Sequence, residues 1–166
     1  MQITRASDYA VRVVVHLAGL PPGVNVRRPD IAKATNVAGS FLSKVLQQLA
    51  QAGIVSSQRG TGGGFQLAVP SGTISLLDVV EAMEGPLRLN TCLEAGPSCE
   101  RKAWCPAHEV WFEAQLALKH VLRNALVAKL AERVAEGSPS GSLLEGPRGE
   151  PQPGDGQHTA ATGATG

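Results

Sequence analysis

Three cysteines are the most reactive feature of this 166-residue chain, and it has no others. They read Cys92-x6-Cys99-x5-Cys105, and His108 follows. An odd count argues against a closed disulfide framework. Soft thiolates gathered in one short segment suit zinc or an iron–sulfur cluster instead. Cys105 and His108 straddle Pro106, so at the start of a helix their offset lets both face one ion. The positive end of that helix favours negatively charged thiolate ligands. Three alternatives stand at this point: a cluster, a structural Cys3His zinc site, and metal-free thiols that switch by oxidation. A thiol enzyme would need a base and a cleft, and Cys105 with His108 is the one pair on offer. The chain is therefore not expected to be an enzyme. His16 and His120 read as packing or surface residues.

The elements that must position these groups are mainly helical. Residues 5 to about 19 carry Ala6, Tyr9, Ala10, Val13, Val14 and Leu17 at helical spacing, and Gly19 with Pro21-Pro22 stops the run. Pro29 opens a short helix to about Thr35, where its fixed φ fits. After the turn at 36–39, Ser40 or Gly39 is expected to cap a third helix with Leu42, Val45, Leu46 and Leu49 inward, ended by Gly53. An alternating strand at 54–59, the loop Gly60-Thr61-Gly62-Gly63-Gly64 and a second strand at 65–69 predict a hairpin. Ser75 and Asp78 form a capping box ahead of Leu76, Leu77, Val79, Val80 and Met83. Residues 90–105 have no periodicity and read as an irregular loop. Pro106 opens a helix expected to run to about Ala135. Its apolar residues spread wider than one stripe, which asks for cover from a twofold partner helix. Beyond it the composition turns to Gly, Pro, Ser, Thr and Ala, a tail expected to be disordered.

Two short helices, a tight turn and a glycine-tipped hairpin make a winged helix-turn-helix. Charge supports a polyanion partner: residues 1–72 carry seven basic and two acidic residues, a net +5, against −4 for the remainder. The third helix offers Ser40, Ser43, Lys44, Gln47 and Gln48, side chains of the right length for base edges and phosphates in a major groove. Arg28 adds a cation beside it, and the hairpin carries Arg59, Thr61, Gly62 and Gly63 toward a minor groove. The glycine run lacks the Gly-Lys-Ser/Thr of a phosphate loop and no G-x-G-x-x-G occurs, so a phosphate loop is not expected.

The stretches SDYAVRVVVHLA (7–18), DIAKATNV (30–37), SFLSKVLQQLAQAGIVSSQRGTGGGFQLA (40–68), ISLLDVVEAME (74–84) and the cysteine loop resemble the Rrf-type winged-helix transcription regulators of bacteria, which include IscR-like and NsrR-like iron–sulfur regulators. The resemblance covers about residues 1–134. It implies a homodimer with an N-terminal DNA-reading head and a long dimerisation helix. It also implies a 2Fe–2S or 4Fe–4S cluster held by Cys92, Cys99 and Cys105. The fourth ligand divides such proteins. His108 matches the histidine of the IscR-like pattern and Asp8 an aspartate given by the partner subunit in some NsrR-like members. The first loop gap is one residue longer than the IscR-like pattern, and Ser43 replaces a frequent glutamate.

The resulting expectation is a DNA-binding domain over 1–84, a cluster loop over 85–105, a dimerisation helix over 106–135 and a tail over 136–166. The expected function is a transcriptional repressor on double-stranded operator DNA, its affinity set by a cluster that responds to iron, nitric oxide or redox state. No apolar run reaches the ~20 residues of a membrane helix, and the polar start resembles no signal peptide. A cytoplasmic protein with reduced thiols is expected.

Overall fold

The computed structural model describes residues 3–93 and 99–137. Its helices are α1 (Arg5–Ala18), α2 (Arg28–Thr35), α3 (Gly39–Gln51), α4 (Leu76–Glu84), α5 (Pro106–Asn124) and α6 (Val127–Gly137). Strands β1 (Val55–Gln58) and β2 (Gly64–Leu67) form the antiparallel hairpin, and 3₁₀ turns sit at Ser71–Thr73 and Thr91–Leu93. The winged helix-turn-helix and the mainly helical fold class stand as expected. The tail beyond 137 and residues 94–98 of the cysteine loop lie outside the described residues.

Local chemistry explains most boundaries. Pro29 sits in the first turn of α2, where a missing N–H leaves nothing unsatisfied. Asn36, with a φ of 52°, turns the chain out of that helix. At the end of α3 the Ile54 N–H donates to the Leu49 carbonyl (3.0 Å) and the Gly53 N–H to the Ala50 carbonyl (3.1 Å). Gly53 supplies the left-handed φ of 72° this closure needs, and Leu49 and Ile54 are both buried beneath it. The capping box of α4 is complete: the Asp78 N–H donates to Ser75 Oγ (3.2 Å) and the Ser75 N–H to Asp78 Oδ2 (2.8 Å). The start of α3 differs from expectation. Ala38 occupies the cap, and neither Gly39 nor Ser40 caps it with a side chain. Ala38 has φ −57° and ψ 136°, and the side chain of Val37 just before it is buried.

α1 is the central post. Ala10, Val13, Val14 and Leu17 meet Ile31 of α2, Leu42, Val45, Leu46 and Leu49 of α3, Ile54 and Val55 of the hairpin and Val79 of α4. Val127 and Ala131 of α6 close the same core. A smaller cluster of Leu77, Val80, Leu87 and Leu122 joins α4 to α5.

The single helix expected over 106–135 is two helices. Ala125 leaves helical geometry (φ −83°, ψ 87°). There the Leu76 N–H donates to the Ala125 carbonyl (2.8 Å) and the Val127 N–H to the Ile74 carbonyl (2.9 Å), pairing Ser75 with Leu126. No glycine or proline marks the break. Long-range backbone hydrogen bonds make it, and it turns α6 back onto α1. Part of the apolar breadth that asked for a partner helix is thus covered by the chain itself.

Candidate DNA interface and cysteine loop

Strand β2 is held from both edges. β1 pairs with β2 in the register Val55–Leu67 to Gln58–Gly64. On the far side of β2, Val26 and Phe65 exchange both backbone hydrogen bonds at 2.9 Å each. Gly64 makes this approach possible, because a Cβ there would lie 2.6 Å from the Val26 carbonyl oxygen. Asn25 Nδ2 also donates to Gln58 Oε1 (2.6 Å). The tip is closed by the Gly63 N–H on the Gly60 carbonyl (2.9 Å), leaving Arg59, Thr61 and Gly62 exposed.

On α3, Ser40, Lys44 and Gln47 are exposed, and Ser43 and Gln48 half-buried. Ser43 is already engaged: its hydroxyl donates to the Gly39 carbonyl (3.1 Å) and accepts from Arg28 Nη1 (2.9 Å). Between α3 and the hairpin lies an open groove of about 490 Å³ whose walls include Arg28, Ser43, Gln47, Ser57 and Phe65. Of the DNA-facing residues expected from the sequence, Arg28, Ser43 and Gln47 line that groove, while Ser40 and Lys44 lie elsewhere on α3 and Arg59, Thr61, Gly62 and Gly63 at the hairpin tip. Phe41 was missed. It is 54 % exposed on the first turn of α3 and packs edge-on against Tyr9 with ring centroids 6.0 Å apart. The available signal was a lone aromatic residue after the small Gly39-Ser40 at the start of the helix.

Asp8 lies on the exposed first turn of α1 and pairs with Arg12 (Asp8 Oδ2 to Nη2, 2.6 Å), whose guanidinium stands 5.8 Å from the Tyr9 ring centroid. The same helix start is capped from far along the chain. Glu84, at the end of α4, accepts hydrogen bonds from the Thr4 N–H (3.3 Å), the Thr4 hydroxyl and the buried Ser7 hydroxyl (2.5 Å each). The Ser7 and Thr4 hydroxyls hold the Glu84 carboxyl below the usual range. Sequence reasoning missed this cap because its partners are remote.

Cys92 sits on the 3₁₀ turn at Thr91–Leu93, Cys99 opens a run of turns, and Cys105 is the residue before α5. All three are free thiols and partly exposed. His108 lies in the first turn of α5, where its N–H donates to the Cys105 carbonyl (3.0 Å). Its Nε2 is buried and has no hydrogen-bond partner among the described residues. A buried ring nitrogen without a partner is costly and calls for one. The donor set therefore suits a soft metal group, although no three of the described His, Cys, Asp or Glu side chains converge on a common point. Asp8 is committed within its own helix and is not gathered with the cysteines.

No helix among the described residues is long and apolar enough to cross a membrane. The chain is 30 % identical over 133 residues to a Haemophilus influenzae protein provisionally named an HTH-type transcriptional regulator, covering 80 % of this chain and 88 % of that protein. Its fold is similar to CymR, the global cysteine regulator of B. subtilis, with a TM-score of 0.65 at 25 % identity, covering 80 % of this chain and 97 % of that one. IscR from T. potens has the same fold with a TM-score of 0.65 at 21 % identity, covering 83 % of this chain and 92 % of that one. A family model described as Rrf2, iron-dependent transcriptional regulator, matches residues 3–133, nearly all of the described chain. With its helix-turn-helix, its pinned wing and this match, the chain belongs to the Rrf2 family of DNA-binding transcriptional regulators.

Proposed function

We propose that this regulator is a homodimeric repressor whose affinity for its operator is controlled by an iron–sulfur cluster on the loop between α4 and α5. Cys92, Cys99 and Cys105 would hold it, with His108 or the partner subunit's Asp8 as fourth ligand. Bound there, a cluster supplies one-electron chemistry and reactivity toward nitric oxide and oxidants. The carrying observation is the loop's composition and place: three free, partly exposed thiols and an unpartnered His108 Nε2 where the reading head meets α5. Tying that loop down fixes where α5 starts relative to α4, and so how two reading heads are spaced. α5 supports the dimer, since Val110, Trp111, Phe112, Leu116 and Val121 are left exposed around it, more large apolar side chains than one helix of a lone chain usually shows to water. Acting on operator DNA, the protein would work in the cytoplasm.

Anaerobic purification with iron and sulfide counting, followed by DNA-binding assays before and after cluster removal, tests this reading. Cys99→Ala should abolish the cluster-dependent change in affinity while the dimer persists. His108→Ala and Asp8→Ala then choose the fourth ligand by which one loses the visible absorbance. The second reading is a metal-free thiol switch or a zinc-structured loop; the separate positions of the described donors favour the thiol switch, since zinc needs the same convergence of ligands as a cluster. This reading gives a colourless protein whose DNA affinity changes with thiol oxidation alone, or with zinc and no iron.

A further inference from the structure

The geometry points to Ser43 as a positioning residue that aims Arg28 at the DNA backbone, and not as a reader of bases. This rests on the DNA-binding role of the fold. A serine hydroxyl has one proton and two lone pairs. The proton of Ser43 is given to the Gly39 carbonyl and one lone pair takes the Arg28 guanidinium. It has no proton left for the acceptor edge of a base, and its side chain is half-buried.

Arg28 is exposed and, among the described residues, has no carboxylate partner, whereas its neighbour Arg27 is paired with Asp30 at 2.9 Å. The charge of Arg28 is thus free and its direction fixed. It borders the groove between α3 and the hairpin. When a recognition helix occupies the major groove and a wing reaches the adjacent minor groove, the sugar–phosphate strand dividing those grooves must pass between the two elements. In this molecule that path is the Arg28 groove. Its occupant is a phosphodiester of duplex DNA, and Arg28 neutralises one phosphate.

The test uses the full-length protein and fluorescence anisotropy on two duplexes, one of random sequence and one enriched from a random pool by the wild type, across a salt series. Arg28→Ala should reduce the slope of log affinity against log salt by about 0.9 on both duplexes. Ser43→Ala should weaken both by the same factor, about two- to tenfold, and leave the ranking of base-substituted sites unchanged. The double variant should bind like Arg28→Ala alone, and Ser43→Thr, which keeps the hydroxyl, should restore binding. A shifted base preference in Ser43→Ala, additive losses in the double variant, or an unchanged salt slope in Arg28→Ala overturns the proposal while the DNA-binding role stands. Wild-type protein without salt-dependent affinity for either duplex overturns both.

Discussion

Adjacent residues of α5 should behave in opposite ways when truncated to alanine. Leu122 is 8 % exposed and packs with Leu77, Val80 and Leu87 inside its own chain. Val121 is 63 % exposed and leads away from that cluster. Removing a buried leucine side chain costs about 2–5 kcal/mol. Leu122 fills a seam between two elements and keeps slight exposure, which places Leu122→Ala in the lower half, about 2–3 kcal/mol. With a urea dependence of about 1–3 kcal/mol/M for a chain of this size, the unfolding midpoint should fall by roughly 1–2 M. Val121→Ala removes no burial within the chain, so its single-chain stability should move by less than about 0.5 kcal/mol. If α5 pairs with a second copy, Val121→Ala should instead raise the dimer dissociation constant by about two hundredfold, from two methyl(ene) groups lost on each of two chains at roughly 0.8 kcal/mol apiece. Urea unfolding at several protein concentrations, with sedimentation equilibrium alongside, separates the two. Equal midpoint shifts at the lowest concentration, or an unchanged dissociation constant for Val121→Ala, would refute the assignment of faces.

Other perturbations follow from contacts described above. Gly64→Ala drives a methyl into the Val26 carbonyl and should cost about 1–3 kcal/mol, with faster hydrogen exchange at the Phe65 amide as the local signature. Glu84→Gln tests the cap on α1. Because the folded carboxyl is held low, its contribution is full above the ordinary glutamate range and is lost as pH falls through the lowered folded value. The gap in melting temperature between wild type and Glu84→Gln should therefore be widest near neutrality and close as pH falls below the ordinary glutamate range. It should correspond to no more than about 1 kcal/mol because the carboxylate is largely exposed, and a gap constant with pH would be inconsistent with this account. Lys44→Ala, at an exposed α3 position, should weaken operator binding by about 1–3 kcal/mol with no change in melting temperature, as anisotropy and thermal melts would record.

The helices and the hairpin were legible because their signals are local. Pro29 in the first turn of α2, Gly53 after α3 and the Ser75–Asp78 box each set a boundary by chemistry within a few residues. What was illegible is long-range. The interruption at Ala125 is made by backbone hydrogen bonds to Ile74 and Leu76, about fifty residues earlier, in a stretch whose propensity is helical throughout. The cap on α1 comes from Glu84, and Val26 becomes a strand partner only because the hairpin folds against it. At the candidate interface the residue types and faces were readable, yet the engagement of Ser43 by Arg28 depended on how α2 crosses α3. The cysteines were visible as donors from spacing alone, but spacing does not fix where irregular loop residues stand.

α6 also sets an order on synthesis. A nascent chain that has emerged as far as Glu84 holds both DNA-reading helices and the hairpin, but not Val127 and Ala131, which close the core against α1. The apolar flank of α1 stays open on the ribosome until the α6 residues follow, and domains settle as their segments become available. The cysteines therefore leave the ribosome before the reading head is finished, and a fragment ending at residue 126 would carry that flank exposed to water and to other chains.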